Sequence, residues 1–356
     1  MRHRLHKLLI NQKGIRTPCL VGRSPESRLR RVAEEATTLV ELMVVLACFS
    51  IIAIAIYAIS SQTQLFNDNL NAWNNLTQWG QTAANQINLE LTQGRIIYQN
   101  DALGTDYQSK LQMDAAYPVT TTTLLPVIDS TGTFHQDTVT TTRTGNALMF
   151  VKDCVPYVGN TVTDTRRVDI YQLVYYYLSP SNKPISGKTQ SLRLVRWVSK
   201  EFADYNQVMA IPAGAPRDTF VINMYTNRLI SHLWIPHNTP ATAFYGISLG
   251  GVIDGVPDPT YTIEKATVES FIPSMGLGYA SIAWNRSTEF WTPDPVPKFA
   301  QASSTGSGFP HGFEVQIIGP SGGRQALIRL VLAYYIPLNK SLYSSETITI
   351  VALREY

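Results

Sequence analysis

Cysteine and charge are scarce in this chain. It holds three cysteines, Cys19, Cys48 and Cys154, and charged residues make up only 15% of it. Because Cys154 stands alone after the first 60 residues, that part of the chain forms no internal disulfide and its core must hold by packing. An apolar content of 44% argues against a disordered chain.

Lysine and arginine are absent between Val32 and Gly94, whereas residues 1–36 hold nine of them against three glutamates. The first 36 residues therefore carry a net charge of +6 and, since the whole chain carries +3, the rest carries −3. A mildly acidic remainder gives no support to nucleic-acid binding. By the positive-inside rule, a membrane segment after this basic stretch keeps its N-terminus in the cytoplasm, so the C-terminal ~300 residues are exported.

A single carboxylate, Glu41, stands directly before the longest apolar run, Leu42–Ile59, which carries no charge. At about 1.5 Å of rise per residue, a helix over residues 39–59 spans roughly 30 Å, the length needed to cross the hydrocarbon core. A charge there costs about 2.5–3.5 kcal/mol unless it has a partner. If the chain is cut between Ala36 and Thr37, the new α-amino group lies one helical turn from Glu41, and the amine of a neighbouring subunit could neutralise it.

Residues 38–47, TLVELMVVLA, resemble the N-terminal methylation motif of type IV pilins and type II secretion pseudopilins. The resemblance implies that prepilin peptidase removes the basic leader on the cytoplasmic face, between Ala36 and Thr37, and that Thr37 is then methylated. It also implies that Glu41, as the fifth residue of the mature chain, acts in filament assembly. The chain departs from the family at Ala36, where Gly is usual, at Thr37, where Phe is usual, and at Glu34 and Glu35, where basic residues are often found, and its leader of 36 residues is long.

The same resemblance implies a set of partners and a location. The partners are prepilin peptidase, other pilins or pseudopilins that pack against the N-terminal helix, and the assembly platform of the cytoplasmic membrane. We expect a single-pass protein of the inner membrane with its N-terminus inside and its head outside, which then enters a filament. No enzyme activity, cofactor, metal or nucleic-acid partner is expected.

Other interpretations of the N-terminus remain open. One is a plain single-pass anchor. Another is a secretory signal peptide, although the basic region is long and no A-x-A site is evident. A third is a lipoprotein signal, because Val45–Cys48 has the outline of a lipobox, although the apolar run continues beyond that cysteine.

No proline occurs between Pro25 and Pro118, so nothing interrupts a long helix. Apolar residues then recur at steps of three and four, the spacing of one helix face. We therefore predict that residues 37–59 form a transmembrane half and residues 60–97 an amphipathic, exported half, with Gly94 as a stop signal. The stripe consists of Phe66, Leu70, Trp73, Leu76, Gly80, Ala83, Ile87 and Leu91.

From about residue 98 the pattern changes to the alternation and aromatic content of strands. Short turn-forming connections favour antiparallel pairing. The predicted class is α+β: a long N-terminal helix packed on an antiparallel sheet in a head formed by residues 98–356, with 200–312 as a loop-rich insertion or a second β-lobe. The order of elements also resembles PilW-like minor pilins and the J-type pseudopilin. The predicted strands are residues 168–177, 192–198, 313–318, 325–336 and 347–353.

Few residues suggest catalysis or metal binding. Residues 246–250 fit G-x-S-x-G, but the Gly- and Pro-rich residues that follow cannot start the helix of a nucleophile elbow, so we interpret the match as chance. Asp254 and His311 could be assigned to a triad with Ser248, but nothing in the sequence places them beside it. Of the exported histidines, only His232 and His237 lie close together in sequence, and a core or surface role is favoured over zinc.

A calcium site formed by Asp254, Asp258 and Glu264 is a minor alternative, since no EF-hand loop is present. The sequence as a whole favours a non-enzymatic, pilin-like subunit. The large head indicates a minor or tip component, because bulky heads crowd a dense helical stack. The alternative is a membrane-tethered, exported binding or hydrolase domain with a chance pilin-like anchor.

Overall fold

The computed structural model describes most of the chain from residue 25 onward. The described ranges are 25–120, 123–134, 143–180, 192–248, 250–270, 279–282, 313–336 and 341–353. Two compact units divide the chain, the first ending at Asp68 and the second beginning at Asn69. His311 and part of the Thr-rich stretch around residue 140 lie outside the described residues.

The first unit contains the beginning of helix α1, Pro25–Leu91. Hydroxyl groups in and after the apolar run are satisfied inside the helix: Ser50 Oγ donates to the carbonyl of Leu46 at 2.8 Å, and Thr63 Oγ1 donates to that of Ile59 at 2.8 Å. These bonds remove the cost of exposing a free hydroxyl to an apolar surrounding. Because α1 extends from Pro25 to Leu91, the prediction of an uninterrupted helix through the apolar run is confirmed.

Within the second unit, the last turns of α1 pack on a sheet. Leu76, Ile87 and Leu91 are fully buried, whereas Trp73, higher on the same stripe, is 51% exposed. The predicted stripe is therefore an inward face only from Leu76 onward. The helix also ends earlier than the predicted boundary at residue 97.

After Leu91 the chain turns, and residues 94–98 form a strand. The amphipathic half of the helix is therefore shorter than the predicted range of residues 60–97. The strands of the second unit are β1 Gly94–Tyr98, β2 Ile128–Asp129, β3 Leu148–Asp153, β4 Tyr157–Asn160, β5 Thr165–Val168, β6 Ile170–Pro180, β7 Leu192–Ser199, β8 Phe202–Asp204, β9 His232–Trp234, β10 Phe244–Gly246, β11 Lys265–Ser270, β12 Tyr279–Ile282, β13 Phe313–Ile318, β14 Gln325–Ile336 and β15 Ser341–Ala352. The helices are α2 Ala102–Ser109, α3 Tyr205–Met209, α4 Ala215–Arg228 and α5 Pro240–Ala243.

Most of these strands form one mixed sheet. Its main path runs β10-β9-β8-β6-β7-β12-β14-β13-β2, with β3 joining β6, β1 joining β3, β11 joining β7 and β15 joining β14. The pairs β8–β9 and β13–β2 are parallel and the others in this sheet are antiparallel. The α+β class is confirmed, as are the boundaries predicted for β13 and β14, while β15 begins six residues before the predicted start at Thr347.

Both faces of strand β6 are buried over residues 173–178, which explains the apolar run LVYYYL there. Val174, Tyr176 and Leu178 contact the cluster that includes the buried residues of α1. Tyr175 and Tyr177 alternate with them and join an aromatic cluster on the other face. The alternation follows from the period of two along a strand.

The region 200–312, expected as an insertion or a second lobe, contributes strands β8 to β12 to the main sheet. Strand β8 pairs with β6, and β11 and β12 pair with β7. Helix α4 was not predicted. It buries Phe220, Val221 and Met224 on one face, the spacing of an amphipathic helix.

Candidate functional site in the N-terminal helix

Three residues of the predicted processing and assembly site lie on helix α1. The helix begins at Pro25 and passes through Ala36, Thr37 and Glu41 without a break. Glu41 is exposed. Side chains in this helix are described from Leu39 onward, so Ala36 and Thr37 are placed by their backbone alone.

The apolar run after Glu41 is exposed along its whole length. Its most apolar 18-residue window has a mean hydropathy of 2.8, and none of that window is buried. An exposed apolar surface of this size is typical of a helix that contacts lipid or other helices. Among the described residues, α1 is the one helix that is long enough and apolar enough to cross a membrane.

Glu41 is the charged group at the head of this surface. Within the residues that the structure describes, its carboxylate has neither an ion-pair partner nor a hydrogen-bond donor. A carboxylate at the edge of an apolar helix favours a cationic partner over an apolar one.

A second carboxylate of α1, Glu90, was missed by sequence reasoning. Its side chain is 4% exposed and accepts hydrogen bonds from Lys152 Nζ at 2.8 Å and from the hydroxyl of Tyr176 at 2.5 Å. Arg196 donates to both of its oxygens, from Nε at 3.0 Å and from Nη2 at 2.5 Å. Glu90 thus ties the last turn of α1 to β3, β6 and β7 at once.

The surroundings of Glu90 decide its protonation state. Burial alone would raise the pKa of this carboxyl, but the hydrogen bonds from Arg196, Lys152 and Tyr176 outweigh burial and hold the pKa at about 2. The group is therefore ionised at neutral pH and balanced by two cations. A sequence signal did exist, since a glutamate next to the buried Leu91 on an apolar stripe needs partners.

A buried ionic group also lies on the other face of the sheet. Arg329 of β14 pairs with Glu314 of β13 at 2.8 Å and with Glu346 of β15 at 2.6 Å. Their neighbours Val315 and Ile328 belong to the cluster around α1, so alternation places Arg329 and Glu314 on the opposite face. These pairs link three strands and require no ligand.

The G-x-S-x-G match at residues 246–250 does not have the form of a nucleophile elbow. The amide of Ser248 donates to the carbonyl of Val252 at 2.9 Å, and that of Asp254 donates to the carbonyl of Gly246 at 3.0 Å. The chain thus folds back in a tight turn, and residues 250–263 contain no helix. An elbow needs a strand, a turn and a helix to expose its serine, so the match is fortuitous.

The histidine and carboxylates near that turn have other partners. His232 has its Nδ1 3.0 Å from Ser231 Oγ, and its ring packs on that of Tyr261 with centroids 3.8 Å apart. Asp258 accepts from Thr260, and Glu264 pairs with Lys200. Among the described residues, no group of three or more histidine, cysteine, aspartate or glutamate side chains is arranged to hold a metal ion.

The chain was compared with known families, proteins and structures. No protein-family model, curated protein or solved structure matches this chain. The resemblance to pilins therefore rests on residues 38–47 and on the apolar helix that carries them.

Proposed function

We propose that this chain is a pilin-like structural subunit of a type IV pilus or a type II secretion pseudopilus. Prepilin peptidase cleaves it between Ala36 and Thr37, and α1 then packs among the helices of other subunits. The observation that carries this proposal is Glu41, an unpaired carboxylate at the head of an exposed apolar helix. A membrane anchor that acted alone would have no use for that charge.

The proposed chemistry of assembly follows from the cost of the charge. After cleavage, the new α-amino group of Thr37 lies about one helical turn before Glu41 on the same helix. The amine of one subunit neutralises Glu41 of the next, which removes a penalty of about 2.5–3.5 kcal/mol. Because the pair forms at only one axial offset, it also sets the register of helix against helix.

The ion pairs of Glu90 suit such a subunit. A head that is assembled through its helix must stay attached to that helix, and apolar packing alone allows one helix to slide along a sheet. Glu90 accepts directional hydrogen bonds from Arg196, Lys152 and Tyr176, which allow one register only. The final turns of α1 are thereby locked to β3, β6 and β7.

The size of the head, residues 98–356, favours a minor or tip component over the bulk subunit. In a dense stack of helices, each head must fit within the small rise between neighbouring subunits, and a bulky head meets its neighbours. Quantitative mass spectrometry of purified filaments measures the copy number. A copy number equal to that of the main subunit contradicts this part of the proposal.

The decisive experiment is to determine the mature N-terminus of the chain expressed with and without prepilin peptidase. We expect a mass and an N-terminal sequence beginning at Thr37, carrying one methyl group, only when the peptidase is present. An Ala36→Glu variant should stay uncut, and Ala36→Gly should be cut at least as well as the natural chain. An uncut chain, or a cut that does not need the peptidase, contradicts the proposal and supports a tethered exported domain.

A further inference from the structure

We draw no further inference here: the strongest candidate, the outer edge of strand β15 with the exposed side chains of Ile348 and Ile350, has no strand paired to it among the described residues, and nothing in the structure shows what covers it.

Discussion

Arg196 of β7 donates two hydrogen bonds to the carboxylate of Glu90 in α1, from Nε at 3.0 Å to one oxygen and from Nη2 at 2.5 Å to the other. This two-point contact is the strongest geometry that an arginine and a carboxylate can form. Because Lys152 and Tyr176 bind the same carboxylate, the last turn of α1 has one position on the sheet. This contact attaches the last turn of α1 to the sheet and does not depend on the N-terminal part of the helix.

Replacement of Glu90 by Gln should destabilise the second unit by about 3–5 kcal/mol, since Lys152 and Arg196 then lose their buried counterion and Arg196 keeps only the exposed Glu269. Urea unfolding of the detergent-solubilised chain, followed by tryptophan fluorescence, measures the change. Glu269 is the matched control: it also pairs with Arg196, at 2.7 Å, but its side chain is 55% exposed. Glu269→Gln should cost less than about 1 kcal/mol, and equal losses for the two variants contradict this account.

The depressed pKa of Glu90 predicts a specific acid sensitivity. The pKa is about 2 in the folded protein against an ordinary value of 4.5, so the carboxylate contributes its full stability above pH 4.5 and loses it as the pH falls toward 2. The loss should be about 3 kcal/mol at most, at about 1.4 kcal/mol per pKa unit. Unfolding free energies measured from pH 6 to about pH 2 should fall more steeply for the natural chain than for Glu90→Gln. Parallel curves for the two proteins contradict the assignment.

Gly80 allows α1 to approach the sheet closely. A Cβ added there lies 2.5 Å from Thr347 Oγ1, so Gly80→Ala should destabilise the fold by about 1–3 kcal/mol despite the better helix propensity of alanine. Thr347→Ala removes the obstructing oxygen. In that background Gly80→Ala should become neutral or stabilising by up to about 1 kcal/mol. Calorimetry or urea unfolding of the four proteins of this cycle decides the matter, and additive effects rule out the contact.

Local patterns were enough to predict the regular elements. The apolar run and the absence of proline predicted helix α1 over residues 37–59, and the alternation in Phe313–Ile318 and Gln325–Ile336 predicted β13 and β14 to the residue. The contacts that hold the head together were not predictable in this way. Glu90 meets Lys152 and Arg196 from 62 and 106 residues away, and no local pattern indicates which charges will meet.

Sequence patterns failed where tertiary contacts, which they do not show, determine the structure. The predicted stripe on α1 includes Leu70 and Trp73, but both are exposed and the stripe is buried only from Leu76 onward, so periodicity alone overestimated the buried face. The motif at residues 246–250 satisfied a catalytic pattern, yet Asp254 returns to Gly246 in a tight turn.

Glu41→Leu separates anchoring from assembly. The variant makes α1 more apolar, so membrane insertion should be unchanged or improved, and the head should keep its stability because Glu41 has no partner among the described residues. Incorporation into filaments, measured by immunoblot of sheared and pelleted fractions, should fall about tenfold or more if the amine of a neighbouring subunit neutralises this carboxylate. Asp68→Leu is the control, because it removes an exposed carboxylate further along the same helix, and it should assemble normally. Normal incorporation of Glu41→Leu, or equal defects in both variants, shows that Glu41 has no specific role in assembly.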